Sequence, residues 1–152
     1  MSDDIVEIIR NKKARFEYEI LDTFEAGIVL KGTEVKSVRQ KNVNIQESYA
    51  RIKNGEVFLV GMNISPYDKG NRFNHDPLRE RKLLLHKQEI KRLTGKLAER
   101  GFTLVPLRMY MKNGKVKVEL GLARGKNVHD KRKTIQERDM KRDMQRDIKK
   151  YV

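Results

Sequence analysis

A chain of 152 residues, 37% of them charged and with 35 Lys+Arg against 21 Asp+Glu, carries a net charge of +14. That length suits one domain with a real core, and so strong an excess of one sign points to a partner bearing many phosphates, nucleic acid first. With no cysteine, disulfides and thiolate metal sites are excluded and a reducing cytoplasm is the expected setting.

The N-terminal stretch "MSDDIVEIIRNKK" begins acidic and has no long apolar run, so it does not read as a secretory signal. No window approaches the ~20 apolar residues of a membrane span, and no membrane partner is expected. Asp4 and Glu7 are spaced as a capping box, with Ile5, Ile8 and Ile9 on one helical face. The expectation is a short docking helix ending near Asn11. Phe16, Tyr18 and Ile20 then alternate with charged residues and "AGIVL" follows, which predicts two strands. "TEVKSVRQK" (33–41) reads as a short helix with Val35 and Val38 facing inward.

Two Asn-Gly pairs mark hairpins, because both residues tolerate positive φ. Asn54-Gly55 joins "SYARI" to "VFLVGM", and Asn113-Gly114 joins "LVPLRMYM" to "VKVELGL". Pro106 belongs at an edge or bulge of its strand. Between the hairpins lies the polar loop "SPYDKGNRFNHDP" (65–77), long enough to suggest a function of its own. The strand "RKLLL" and a helix over 87–100, with Ile90, Leu93 and Leu97 as its buried stripe, complete the set. Six or seven short strands and three helices close most economically as a small antiparallel barrel of the oligonucleotide-binding type. The fold class expected is therefore mainly β with helices.

The chain closes on a tetrapeptide written three times, "RDMKRDMQRDIK" (138–149). As a helix it sets Met140, Met144, Ile148 and Tyr151 within about 80° of one another, beside a ridge of Arg138, Arg142, Arg146 and Lys150. Favourable i,i+3 pairs and like charges at i,i+4 nearly cancel, and an isolated helix of this length is marginal. The reading is a barrel domain over 1–129 and a basic tail over 130–152, unfolded alone and helical when its basic ridge meets phosphates. Nine basic and five acidic residues leave that tail at +4 and residues 1–129 at +10, so the domain is basic in its own right.

Catalytic chemistry is not expected. His75, His86 and His129 have no metal-ligand spacing, and the chain has neither a glycine-rich phosphate loop nor a nucleophile motif. No metal and no cofactor are expected, and the carboxylates read as surface groups.

The segments "NKKARFEY", "TFEAGIVLKGTEVKS", "SYARIKNGEVFL", "NRFNHDPLRERKLLLH", "KVKVELGLARGK" and "DKRKTIQERDMKR" occur in order over nearly the whole chain. Together they resemble the small protein B family, the tmRNA-binding (SsrA-binding) proteins of bacterial trans-translation. The resemblance implies a barrel that holds the tRNA-like part of tmRNA and delivers it to stalled ribosomes, with the tail in the empty mRNA path beside the decoding centre. Its tmRNA-contacting positions fall here on Asn11, Glu25, Leu84, His86 and Lys117, with Arg124 and Lys126 in a basic "ARGK" stretch. His129, Asp130, Lys131 and Arg132 match the segment leading into the ribosome, followed by the tail cations Arg138, Arg142, Arg146, Lys149 and Lys150. Read without the resemblance, Glu25 is a surface carboxylate, and Leu84 divides evenly between core leucine and RNA contact. Two positions depart from the family: Phe16 stands where histidine is common, and Lys41 where glycine is.

Overall fold

The structure is a computed structural model in which residues 4–67 and 74–126 are described. The chain enters as strand β1 (Ile5–Arg10), not as a helix. Three of the six residues in "IVEIIR" are isoleucine and one is valine, and β-branched side chains favour the pleated conformation. Pairing then decides the matter, since β1 lies antiparallel against the second half of β8 (Phe102–Lys112), from Ile5 opposite Lys112 to Arg10 opposite Arg108.

Helix α1 (Lys12–Glu17) occupies the start of the expected strand, and β2 (Tyr18–Ile28) begins only at Tyr18. Asn11 causes the switch: its side-chain oxygen accepts the backbone N–H of Ala14 at 3.1 Å, which caps the helix. β2 then runs unbroken through "AGI", where two strands were expected.

Helix α2 (Gly32–Arg39) buries Val38 fully and Val35 in part. Beyond it come β3 (Val43–Asn44), β4 (Tyr49–Lys53), β5 (Glu56–Val60) and β6 (Asn63–Ile64). β4 and β5 form the expected hairpin, with Asn54 at φ 54° and Gly55 at φ 75° in the turn. β7 (Arg81–Leu84), helix α3 (Lys87–Ala98), β8 and β9 (Lys115–Gly125) follow, and the β8–β9 hairpin turns through Asn113 and Gly114. The register of that hairpin shifts between Pro106 and Arg108, so the proline sits at a bulge.

The long sheet runs β1-β8-β4-β5-β7-β2-β9, and an added β8–β9 pairing closes six of these strands into a ring. A two-stranded sheet of β3 and β6 stands beside it. Leu59, Leu83, Leu104, Met109, Val118 and Leu120 fill the interior, and Leu93 of α3 is fully buried against them, flanked by Ile90 and Leu97. The split expected at residue 130, and the whole tail after it, lie outside the described residues.

Candidate nucleic-acid interface

Strands β7, β2 and β9 lie side by side, and their registers place Gly27 opposite Leu84 on one flank and Lys117 on the other. These three positions make one row, pointing away from the core on which Ala26 and Val118 face inward. Leu84 is 52% exposed while its neighbour Leu83 is 1% exposed, which removes the ambiguity left by "RKLLL". Leu83 is the core leucine and Leu84 the outward one, as the two-residue alternation of a strand requires.

Glu25 stands two residues before Gly27, on the same outward face. His86 follows β7 at the N-terminus of α3, exposed, with its backbone N–H donating to Glu89 at 3.0 Å. Glu25, Leu84, His86 and Lys117 thus line one open cleft of about 290 Å³, together with Gly27 and Glu89. Four residues spread over 93 positions of sequence converge there.

Glu25 is held in a defined state. The Tyr110 hydroxyl donates to its carboxylate at 2.5 Å, and Lys112 Nζ lies 3.2 Å from both oxygens. The Tyr110 hydrogen bond, more than Lys112 or Lys117, holds this carboxyl below the usual carboxylate range, while burial pushes the Tyr110 phenol well up. Arg108 stacks on the Tyr110 ring at 4.5 Å and donates to Glu119 at 2.9 Å, which locks the tyrosine from its other side. Glu25 is therefore a fixed, ionised acceptor on the cleft wall. Such a group can receive N–H donors from a base edge, beside a lysine suited to phosphate and an apolar group suited to stacking.

The other expected positions lie elsewhere. Glu19 pairs with Arg124 in the β2–β9 register, eight residues from the Gly27–Lys117 pair, or roughly 26 Å along the strand. Arg124 meets Glu19 at 2.6 Å, and the Lys126 backbone N–H donates to Glu17 at 3.0 Å. Asn11 is also at this end, 1% exposed, its amide donating to Ile45 at 3.2 Å and Pro106 at 2.9 Å. These two bonds and the one its oxygen accepts from Ala14 cap α1 and tie it to β8 and to the Ile45 carbonyl. A second, polar cleft of about 190 Å³ opens beside it, lined by Tyr18, Tyr49, Gln46 and Glu47. His129, Asp130, Lys131, Arg132 and the tail cations Arg138, Arg142, Arg146, Lys149 and Lys150 lie outside the described residues.

One cluster was not foreseen. Glu34, read as a surface carboxylate, is 0% exposed and meets Arg81 and Arg79, each at 2.5 Å. Arg81, also 0% exposed, donates further to the carbonyls of Met62 and Pro77 at 2.8 and 3.1 Å. Nearby His75 is buried; its Nε2 donates to the Ile64 carbonyl and its Nδ1 accepts from Thr33, both at 2.9 Å. These groups tie α2, β7 and the base of the long loop together. The spacing of "GTEVKS" against "RERK" gives no hint of it, since a charge pattern does not reveal which charges are buried.

Among the described residues no group of three or more His, Cys, Asp or Glu side chains is placed to hold a metal ion, and no helix is long and apolar enough to cross a membrane.

Comparison with known proteins gives the family. The family model "SmpB protein" matches residues 8–150. The SsrA-binding protein of Thermosynechococcus vestitus is 57% identical over 150 residues, covering 98% of this chain and 99% of that one. The SsrA-binding protein of Listeria welshimeri is 58% identical, with 93% and 92% covered. A chain of the solved structure "tmRNA-SmpB: a journey to the center of the bacterial ribosome" superposes with a TM-score of 0.67 at 55% identity, over 79% of this chain and 85% of that one. The chain belongs to the SmpB family.

Proposed function

We propose that this protein binds the tRNA-like part of tmRNA and carries it to stalled ribosomes, acting in the cytoplasm as an RNA-binding factor and not as an enzyme. One observation carries the reading: Glu25, Leu84, His86 and Lys117, the positions that the family resemblance singles out, converge on one cleft. The ring is then a barrel of the oligonucleotide-binding kind. In it the cleft receives unpaired bases of the tRNA-like fold, while Asn11 acts by holding α1 in place.

Arg124 and Lys126, at the opposite end of β2, belong in this reading to the side facing the ribosome. From there the chain continues into His129, Asp130, Lys131 and Arg132 and the basic tail over 130–152. The tail would become helical where ribosomal RNA walls the vacant mRNA path, with Arg138, Arg142, Arg146, Lys149 and Lys150 meeting its phosphates.

The test is to sequence the RNA that copurifies with the full chain from cells, and with a chain ending at residue 129. Enrichment of tmRNA by both, with loss of peptide tagging only for the shortened chain, is the expected result. Copurification of bulk ribosomal RNA without tmRNA overturns the assignment.

A further inference from the structure

The cleft at Glu25 has a neighbour. On the other side of the Leu84–Gly27–Lys117 row lies a groove of about 390 Å³, whose lining adds Val35 of α2 and Lys115 and Val116 of β9. Gly27, Leu84 and Lys117 line both cavities, so the row is their common wall. Gly27 makes a gap in that wall. A Cβ built on it would come within 3.4 Å of the Leu84 Cβ, so a side chain there would fill the space beside the leucine.

The two cavities differ in character. The cleft holds the carboxylates of Glu25 and Glu89 beside His86. The groove is apolar, with two lysines and no carboxylate in its lining. Neither Lys115 nor Lys117 is in an ion pair among the described residues. An apolar floor edged by two ammonium groups, Lys115 and a Lys117 that acts on Glu25 only through its charge and without a close ion pair, complements an occupant with a flat apolar face and an attached negative charge, which is the description of a nucleotide.

Resting on the RNA-binding reading above, we propose that Leu84 is a wedge between two adjoining base subsites, so that two consecutive nucleotides are splayed to either side of it. The first base meets Glu25 in the cleft. The second lies on the Val35–Val116 floor of the groove. The phosphate joining them passes through the gap at Gly27, against Lys117, and Lys115 neutralises the next one. The motif recognised is thus an unpaired dinucleotide step, not a single flipped base. An exposed leucine suits the wedge because its branched side chain separates stacked rings without offering a hydrogen bond to either.

The experiment uses the full chain and a tRNA-like RNA fragment of tmRNA carrying 2-aminopurine at each unpaired position in turn, since that base brightens when unstacked. At saturating wild-type protein, two adjacent positions brighten. With Leu84→Ala both stay dim, and with Lys115→Glu only one of the two does, while affinity falls about tenfold. Gly27→Ala narrows the gap at an unstrained position, leaves unfolding unchanged and dims both positions. A single bright position, two non-adjacent ones, or unaltered fluorescence and affinity in Lys115→Glu overturns the wedge while leaving RNA binding standing. An RNA that fails to bind at all removes the functional reading as well.

Discussion

Lys41 holds its backbone at φ 63°, and apart from the two Asn-Gly asparagines it is the one described non-glycine residue with positive φ. The conformation is imposed by the end of α2. Asn42 donates its backbone N–H to the Ser37 carbonyl at 3.0 Å and Lys41 to Val38 at 2.9 Å, the paired bonds of a Schellman cap. The left-handed region costs a side-chain-bearing residue about 1–2 kcal/mol, and glycine adds unfolded-state entropy worth about 0.4–1 kcal/mol against that gain. Lys41→Gly therefore stabilises the fold by about 0.5–1 kcal/mol, read as a higher urea midpoint at unchanged m. Lys41→Ala, which keeps a Cβ, gives no such gain; equal midpoints for the glycine and alanine variants would show the backbone relaxes freely. The glycine expected at this position from family resemblance was thus a statement about the backbone, and the backbone keeps that conformation even with lysine in place.

At the scale of elements, α2, β7 and the base of the long loop are joined through Glu34, so its charge state governs how they dock. Desolvation pushes this carboxyl up, but hydrogen bonds from Arg79, the Lys31 backbone N–H and Arg81 outweigh it and hold the group below its usual range. A carboxylate with a lowered folded value contributes stability in full above the ordinary carboxylate range, and that contribution is lost as pH falls through the lowered value. Glu34→Gln leaves the Arg81 guanidinium buried without its counter-ion and costs about 3–5 kcal/mol at neutral pH. Its unfolding free energy then declines less steeply in acid than that of wild type. Equal acid slopes for the two proteins would show that other groups set the acid limit.

The elements legible in the sequence were those with local signals: both Asn-Gly hairpins, α2, and α3 with its Leu93 stripe. Those misread lay where partners decide. Residues 5–10 show helical spacing, yet only β8 beside them makes them a strand. Phe16 alternates like a strand residue, yet a single capping asparagine winds it into α1. Four of the positions named by resemblance, Glu25, Leu84, His86 and Lys117, line one cleft, while nothing in the sequence pointed to the groove beside it. Val35 and Lys115 are brought to one groove by the pairing of β2 with β9, which no local pattern encodes.

For the whole molecule, the decisive quantity is where the charge sits. The net +14 is shared so that residues 1–129 alone retain +10, and a stretch with that excess should bind a polyanion by displacing its counterions. Each neutralised phosphate contributes about −0.7 to −0.9 to the slope of log K against log salt. Lys115 and Lys117 face the same RNA in the reading above, so replacing both with alanine should flatten the slope for the tRNA-like fragment by about 1.4–1.8. Ending the chain at residue 129 should leave that slope almost unchanged, because the tail cations are assigned to a different RNA. The same truncation should flatten the salt dependence of ribosome association. Titrations of the three proteins against each RNA at several salt concentrations separate the two surfaces. If truncation instead flattens the slope for the tRNA-like fragment and the double alanine variant does not, the tail and not the ring grips tmRNA, and the division of labour between them is reversed.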